Sequence, residues 1–227
     1  MTYVTSVNLV LVMSMSAQAR KISKKELGFI HHFIPSSRKI NDVILLLHGT
    51  GGDENYLLNI GRRISPGAAI LSPRGNVFEK GSNRFCLRSP DGVFNIDDVK
   101  LRTEELADFI IKASERYKFD LNRLSVIGYS NGASIAASVI LTYPVIIKRA
   151  VLFHPGLPFI PRTPLDLVNN RVLITCGRHD TIVKAGESVG LAKLLKQCGA
   201  NVEIYRHGRD HELVKNEIMT AKRFLES

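Results

Sequence analysis

Along the chain, short apolar runs alternate with segments whose apolar positions recur every three or four residues. "DVILLLHG" (42–49), "AAILSP" (68–73), "RLSVIGYS" (123–130), "KRAVLFH" (148–154) and "RVLITCG" (171–177) are nearly continuous. That pattern predicts strands covered on both faces. "NVEIYRH" (201–207) reads as the last strand, and "FIHHFIP" (29–35) alternates weakly enough to predict an edge strand. Between them, helical spacing marks "DENYLLNIGRRI" (53–64), "NGASIAASVILTY" (131–143), "GESVGLAKLLKQCG" (186–199) and "ELVKNEIMTAKRFLE" (212–226). The clearest helix is 97–117, with Leu106, Phe109, Ile110 and Ala113 on one stripe and acidic residues in its first half.

Strand and helix in alternation predict an α/β fold, with a mostly parallel central sheet and helices on both faces. In such sheets ligands bind at the carboxyl ends of the strands, so the residues after each apolar run are the ones to inspect. Two stretches break the alternation. Residues 74–95 read as a long irregular loop, of the kind that often carries function. Pro155, Pro158, Pro161 and Pro164 mark a second connection that cannot pair regularly.

The 227 residues suit one domain. Net charge is +10, but Lys and Arg are scattered and not interleaved with aromatics, which argues against a nucleic-acid partner and leaves anionic substrates in view. No run of about 18 apolar residues is present, so no membrane span is predicted. Cys86, Cys176 and Cys198 are odd in number and lack metal-ligand spacing, which favours reduced, buried thiols in a cytoplasmic protein. Residues 1–27 read as an N-terminal extension ahead of a domain spanning 28–227. Within it, "VNLVLVM" and "AQA" resemble a signal core and cleavage site, but no Lys or Arg precedes them. Secretion therefore stands as the alternative to a cytoplasmic protein.

Gly128-Tyr129-Ser130-Asn131-Gly132 is a G-x-S-x-G stretch between a predicted strand and a predicted helix, the context of a nucleophile on a tight turn. The plain alternative is a glycine turn whose serine caps the helix. A serine hydroxyl needs a histidine base and a carboxylate to orient it, and in this kind of sheet they follow in that chain order: serine, acid, histidine. Asp180 falls after the strand 171–177, and His211 after the strand 201–207. His207 lies too close to its strand, His179 and Asp210 are adjacent to the chosen residues, and Asp166 sits at no strand end. Two N–H donors for an oxyanion are expected from the backbone of Asn131 and of Thr50, the latter in the glycine loop "LLHGTGGDE". That loop lacks the lysine and spacing of a phosphate cradle, and His48 is read as supporting it. Arg74, Phe78, Phe85 and Arg88 are pocket candidates from the 74–95 loop. No metal-binding spacing appears.

"LLLHGTGGDE", "LSPRGNVFEKGSNRF", "DGVFNIDDVKLRTEELADFI", "VIGYSNGASIA", "VLITCGRHDTIV" and "RDHEL" together resemble the small bacterial carboxylesterases of the α/β-hydrolase superfamily, in its phospholipase/carboxylesterase and dienelactone-hydrolase-like branch. Within that branch the likeness extends to hydrolases linked to hydroquinone or catechol detoxification. The resemblance runs from about residue 29 to the end. It implies an α/β-hydrolase fold without a large cap domain, and a cofactor-independent serine esterase acting on a small-molecule ester. It further implies a triad of Ser130, Asp180 and His211, with Thr50 and Asn131 as oxyanion donors. A monomer or homodimer is expected from the relatives. Thioesterase or lysophospholipase activity with the same triad, and a non-catalytic binding module, are the competing readings.

Overall fold

The computed structural model describes residues 20–22, 27–37, 42–89 and 92–227, with backbone alone at 20–22 and 185. The signal-like stretch lies outside the described residues. Among the described residues ten strands and five α-helices follow in chain order: β1 (Arg20–Ile22), β2 (His31–Ile34), β3 (Val43–Leu47), α1 (Leu58–Ile64), β4 (Ala69–Pro73), β5 (Val77–Glu79), β6 (Ser82–Arg84), α2 (Ile96–Tyr117), β7 (Leu124–Tyr129), α3 (Asn131–Thr142), β8 (Arg149–Phe153), β9 (Arg171–Gly177), α4 (Ala185–Gln197), β10 (Asn201–His207) and α5 (Lys215–Glu226).

Eight strands form one sheet in the order β1-β2-β4-β3-β7-β8-β9-β10. From β4 to β10 neighbouring strands run parallel, whereas β1 and β2 are antiparallel additions at one side. The segment 31–34, expected at the edge, is therefore second from it, because β1 covers it. The 74–95 stretch is also more ordered than expected. It holds the β5–β6 hairpin, whose tip Lys80-Gly81 has positive φ at both residues, and a bridge between Arg88 and Phe94.

The continuous apolar runs are explained by two cores. Along β3, Val43, Leu45 and Leu47 face one side with α2, α3 and α4, and Ile44 and Leu46 face the other with α1 and α5. A strand buried on both faces loses its polar alternation. On α2 the predicted stripe of Leu106, Phe109, Ile110 and Ala113 is fully buried, and Asn95 caps the helix by accepting from the Asp98 N–H at 3.1 Å. Among the described residues no helix is long and apolar enough to cross a membrane.

Candidate active site

The β7–α3 turn is built by its two glycines. A Cβ on Gly128 would stand 2.7 Å from the Ala133 Cα, and one on Gly132 would run into the carbonyl oxygens of Leu47 and His48. Strand and helix can approach this closely only where both side chains are absent. Between the glycines Ser130 is held at φ 53°, a region costly for a residue with a Cβ. Its N–H donates to the Phe153 carbonyl at 2.8 Å, which ties the turn to the next strand. The hydroxyl is thereby lifted over the carboxyl end of the sheet, beside the N-terminus of α3.

Asp180 and His211 reach the same point from the loops after β9 and β10. His211 Nε2 lies 2.8 Å from Ser130 Oγ, and His211 Nδ1 lies 2.7 Å from Asp180 Oδ2. The other Asp180 oxygen accepts the N–H groups of Ile182 (2.9 Å) and Val183 (2.7 Å). Burial disfavours the Asp180 anion, but hydrogen bonds from His154, His211 and the Val183 N–H outweigh it and hold the carboxyl well below the usual range. Ionised Asp180 can only accept, so His211 carries its proton on Nδ1 and presents a lone pair to the serine. Tyr129 braces the loop by donating its hydroxyl to the His211 carbonyl at 2.8 Å. The rivals sit elsewhere. Asp210 accepts from the N–H groups of His211 and Thr181, both at 2.8 Å, and Asp166 caps Val168 N–H in its own loop.

Thr50 and Asn131 both line the cleft in front of Ser130. The Gly51 and Gly52 N–H groups donate to the Asn83 and Gly49 carbonyls, but among the described residues no acceptor takes the N–H of Thr50 or Asn131. Two uncommitted donors next to a candidate nucleophile can receive a developing oxyanion. His48 supports this loop from behind: its Nδ1 donates to the Gly49 carbonyl at 2.7 Å and its Nε2 accepts the Gly75 N–H at 2.9 Å. The Asn131 side chain has a task the sequence did not suggest. Its Oδ1 accepts from Phe85 N–H at 2.7 Å and its Nδ2 donates to the Cys86 carbonyl at 2.9 Å, so it fastens the 85–86 segment to the start of α3.

The pocket candidates fare unevenly. The cleft, about 580 Å³ and open to solvent, is lined by Arg88 but not by Arg74, Phe78 or Phe85. Arg74 is turned away into a two-point pair with Glu54, at 2.6 and 2.9 Å. Phe85 is buried under the loop against His48, and Phe78 is 72% exposed on the outer side of the β5–β6 hairpin. Arg88 is itself clamped by both Glu187 oxygens, at 2.7 and 2.8 Å. Lys80, Arg84 and Phe94 also line the cleft and were missed. Among the described residues the Arg84 Nε has no hydrogen-bond partner, and its charged neighbour is Glu79 at 3.4 Å.

Behind Asp180 lies a buried cluster of His154, His207 and Glu217. His154 follows β8 directly, at φ 52°, and its Nδ1 stands 3.1 Å from the same Asp180 oxygen that meets His211. Its Nε2 stands 3.2 Å from Glu217 Oε2 and 3.3 Å from His207 Nε2. Burial opposes a charge on His154, yet the hydrogen bonds to Asp180 and Glu217 prevail and raise its pKa to about 9. Its pairing therefore contributes fully to stability below the ordinary histidine value near 6.5, and that contribution is lost as pH rises through about 9. The ligand atoms of His154, His207 and Glu217, or of His154, Asp180 and His211, are close enough together to hold a metal ion. Sequence spacing could not reveal either group. However, His207 Nδ1 accepts the Arg209 N–H at 3.3 Å, which puts the ring proton on Nε2, the nitrogen a metal would need.

Comparisons with known proteins agree with this architecture. The family model described as phospholipase/carboxylesterase matches residues 30–227. The hydrolase MhqD of Bacillus subtilis (strain 168) is 41% identical over 182 residues, which cover 80% of this chain and 91% of that protein. Among solved structures, the Bacillus cereus carboxylesterase is 39% identical with a TM-score of 0.86, covering 89% of this chain and 96% of its own. YahD, solved with malic acid, is 31% identical with a TM-score of 0.81, covering 87% and 98%. The chain belongs to the phospholipase/carboxylesterase family of α/β-hydrolases, and is a carboxylic ester hydrolase.

Proposed function

We propose that the protein is a serine esterase that cleaves small carboxylic esters through an acyl-enzyme on Ser130. The observation that carries this reading is the unbroken relay from Ser130 Oγ through His211 to Asp180, at 2.8 and 2.7 Å, opening on a solvent-accessible cleft. His211 Nε2 takes the serine proton as Oγ bonds to the ester carbonyl carbon, and the carbonyl oxygen becomes an anion facing the N–H groups of Thr50 and Asn131. Collapse of this intermediate expels the alcohol, which leaves with the proton from His211. Water then repeats the sequence and frees the acid. Asp180 stays ionised throughout and stabilises the imidazolium.

Support for small rather than long-chain substrates comes from the lining, where Glu79, Lys80, Arg84 and Arg88 alternate with Tyr56, Phe94, Tyr129 and Ile182 and leave no continuous apolar groove. Arg88 and Arg84 already have Glu187 and Glu79 as partners, so it is Lys80 that favours an acidic substituent on the ester. The neighbour YahD was solved with malic acid, a small dicarboxylic acid, which is in keeping with such a preference. A fluorophosphonate probe provides the test. It should modify one site, mapped by mass spectrometry to the peptide that contains Ser130, and short p-nitrophenyl esters should protect that site competitively. Adduct on another residue, or none, would sink the proposal.

A further inference from the structure

We propose that buried His154 is a positioning residue for the esterase reaction, held as an imidazolium between Asp180 and Glu217, and that this pair sets the field felt by His211. The proposal rests on the triad reading above.

Both oxygens of Asp180 receive N–H donors: Ile182 and Val183 on Oδ1, His211 on Oδ2. His154 Nδ1, at 3.1 Å from Oδ2, therefore meets a carboxylate that can only accept, and must carry a hydrogen. The opposite ring nitrogen faces Glu217. One Glu217 oxygen already accepts the Val214 N–H at 2.6 Å, and the other lies 3.2 Å from His154 Nε2; with Glu217 as the carboxylate of the proposed pair, this nitrogen donates as well. A ring that donates from both nitrogens is an imidazolium. His207, with its Nδ1 accepting from Arg209, has its proton on Nε2 and aims it at the same Glu217 oxygen from 3.5 Å. The 3.3 Å approach of the two Nε2 atoms fits two donors converging on the Glu217 carboxylate; a His207 N–H donating to an unprotonated His154 Nε2 is the rival arrangement, and finding it would overturn the proposal.

This arrangement is costly. His154 and Glu217 are fully buried, and His154 occupies a left-handed backbone conformation that its Cβ disfavours. A hydrophobic pair would fill the same space without charge. What the ion pair provides is a fourth donor on Asp180, which fixes the carboxylate while His211 shuttles the proton, and a counter-anion that keeps the trio at one net negative charge. Groups facing His154 are Tyr129 at the end of β7, Asp180 after β9, His207 on β10, His211 beyond it and Glu217 on α5. Only Asp180 and Glu217 among them are anions, so removing either charge partner changes the field at His211 in a predictable direction.

The pH profile of kcat/KM for a short p-nitrophenyl ester supplies the readout, because the position of its acidic limb does not depend on the amount of folded enzyme. His154→Asn removes the cation beside Asp180 and should move the acidic limb up by about one pH unit. Glu217→Gln keeps the shape, leaves the cation uncompensated, and should move the limb down by about as much. A packing role would lower the plateau without moving the limb. Absent shifts, or two shifts in the same direction, would overturn the proposal. Nitrogen-15 spectra of histidine-labelled wild-type protein decide the matter even where a variant does not fold. Both ring nitrogens of His154 should be protonated at pH 7.5, and a singly protonated ring overturns the proposal. This spectrum is independent of catalysis, so failure of the triad, read from absent fluorophosphonate labelling at Ser130, is told apart from failure of the role assigned to His154.

Discussion

Replacing Ser130 by alanine is expected to lower kcat/KM for short esters by about 10⁵- to 10⁶-fold, the scale lost when a triad nucleophile is deleted. The fold should survive. Among the described residues the Ser130 hydroxyl is bonded to His211 alone, and the N–H and carbonyl that tie the turn to Phe153 and Ser134 belong to the backbone. Alanine keeps the Cβ, so the strain at φ 53° is the same in both proteins. Matching thermal melts with esterase activity reduced to the uncatalysed rate are the expected result. Activity within tenfold of wild type would remove Ser130 from the mechanism.

Asp180→Asn should cost about 10⁴-fold in kcat, and for a different reason. Four N–H donors converge on this carboxylate, two on each oxygen. An amide has one acceptor oxygen. If that oxygen keeps the Ile182 and Val183 N–H groups, the amide NH₂ points at His211 Nδ1 and forces the ring proton onto Nε2, where it blocks the serine. The variant should remain labelled slowly by fluorophosphonate, in contrast to Ser130→Ala. Stability should fall as well, by about 1–3 kcal/mol at neutral pH, as for loss of a charged hydrogen-bond acceptor. The sign with pH follows from the lowered pKa of Asp180: its contribution is present above the unfolded carboxylate value near 4 and is lost as pH falls. Urea midpoints of wild type and variant should therefore converge in acid. A gap that stays constant to pH 3 would mean that the carboxylate charge does not stabilise the fold.

Much of this site was legible because parallel sheets present function at strand ends. Ser130, Asp180, His211 and Thr50 each follow an apolar run, and that rule needs no side-chain detail. His154 also directly follows an apolar run, yet it was not among the candidates, and its ring turns inward rather than toward the cleft. Glu217 carried a signal too. It shares a stripe with Ala221 and Phe224, at spacings of four and seven, so an acidic residue sits on the buried face of α5. The pocket wall was less legible. Whether Arg74 faces substrate or Glu54, and which side of a hairpin Phe78 takes, depends on how residues 74–95 pair with one another. The extra order of the β5–β6 hairpin was hidden because its strands are three residues each and turn on a lysine with positive φ.

The three-residue strand at Arg20–Ile22 has a practical consequence. It hydrogen-bonds to the side of β2 that would otherwise be the open border of the whole sheet, with Arg20 opposite Phe33 and Ile22 opposite His31. Bare sheet borders pair readily with other chains. A shortened protein beginning at residue 27 keeps every residue of the candidate site but uncovers that border, so chain self-association, rather than loss of chemistry, is the hazard of trimming here.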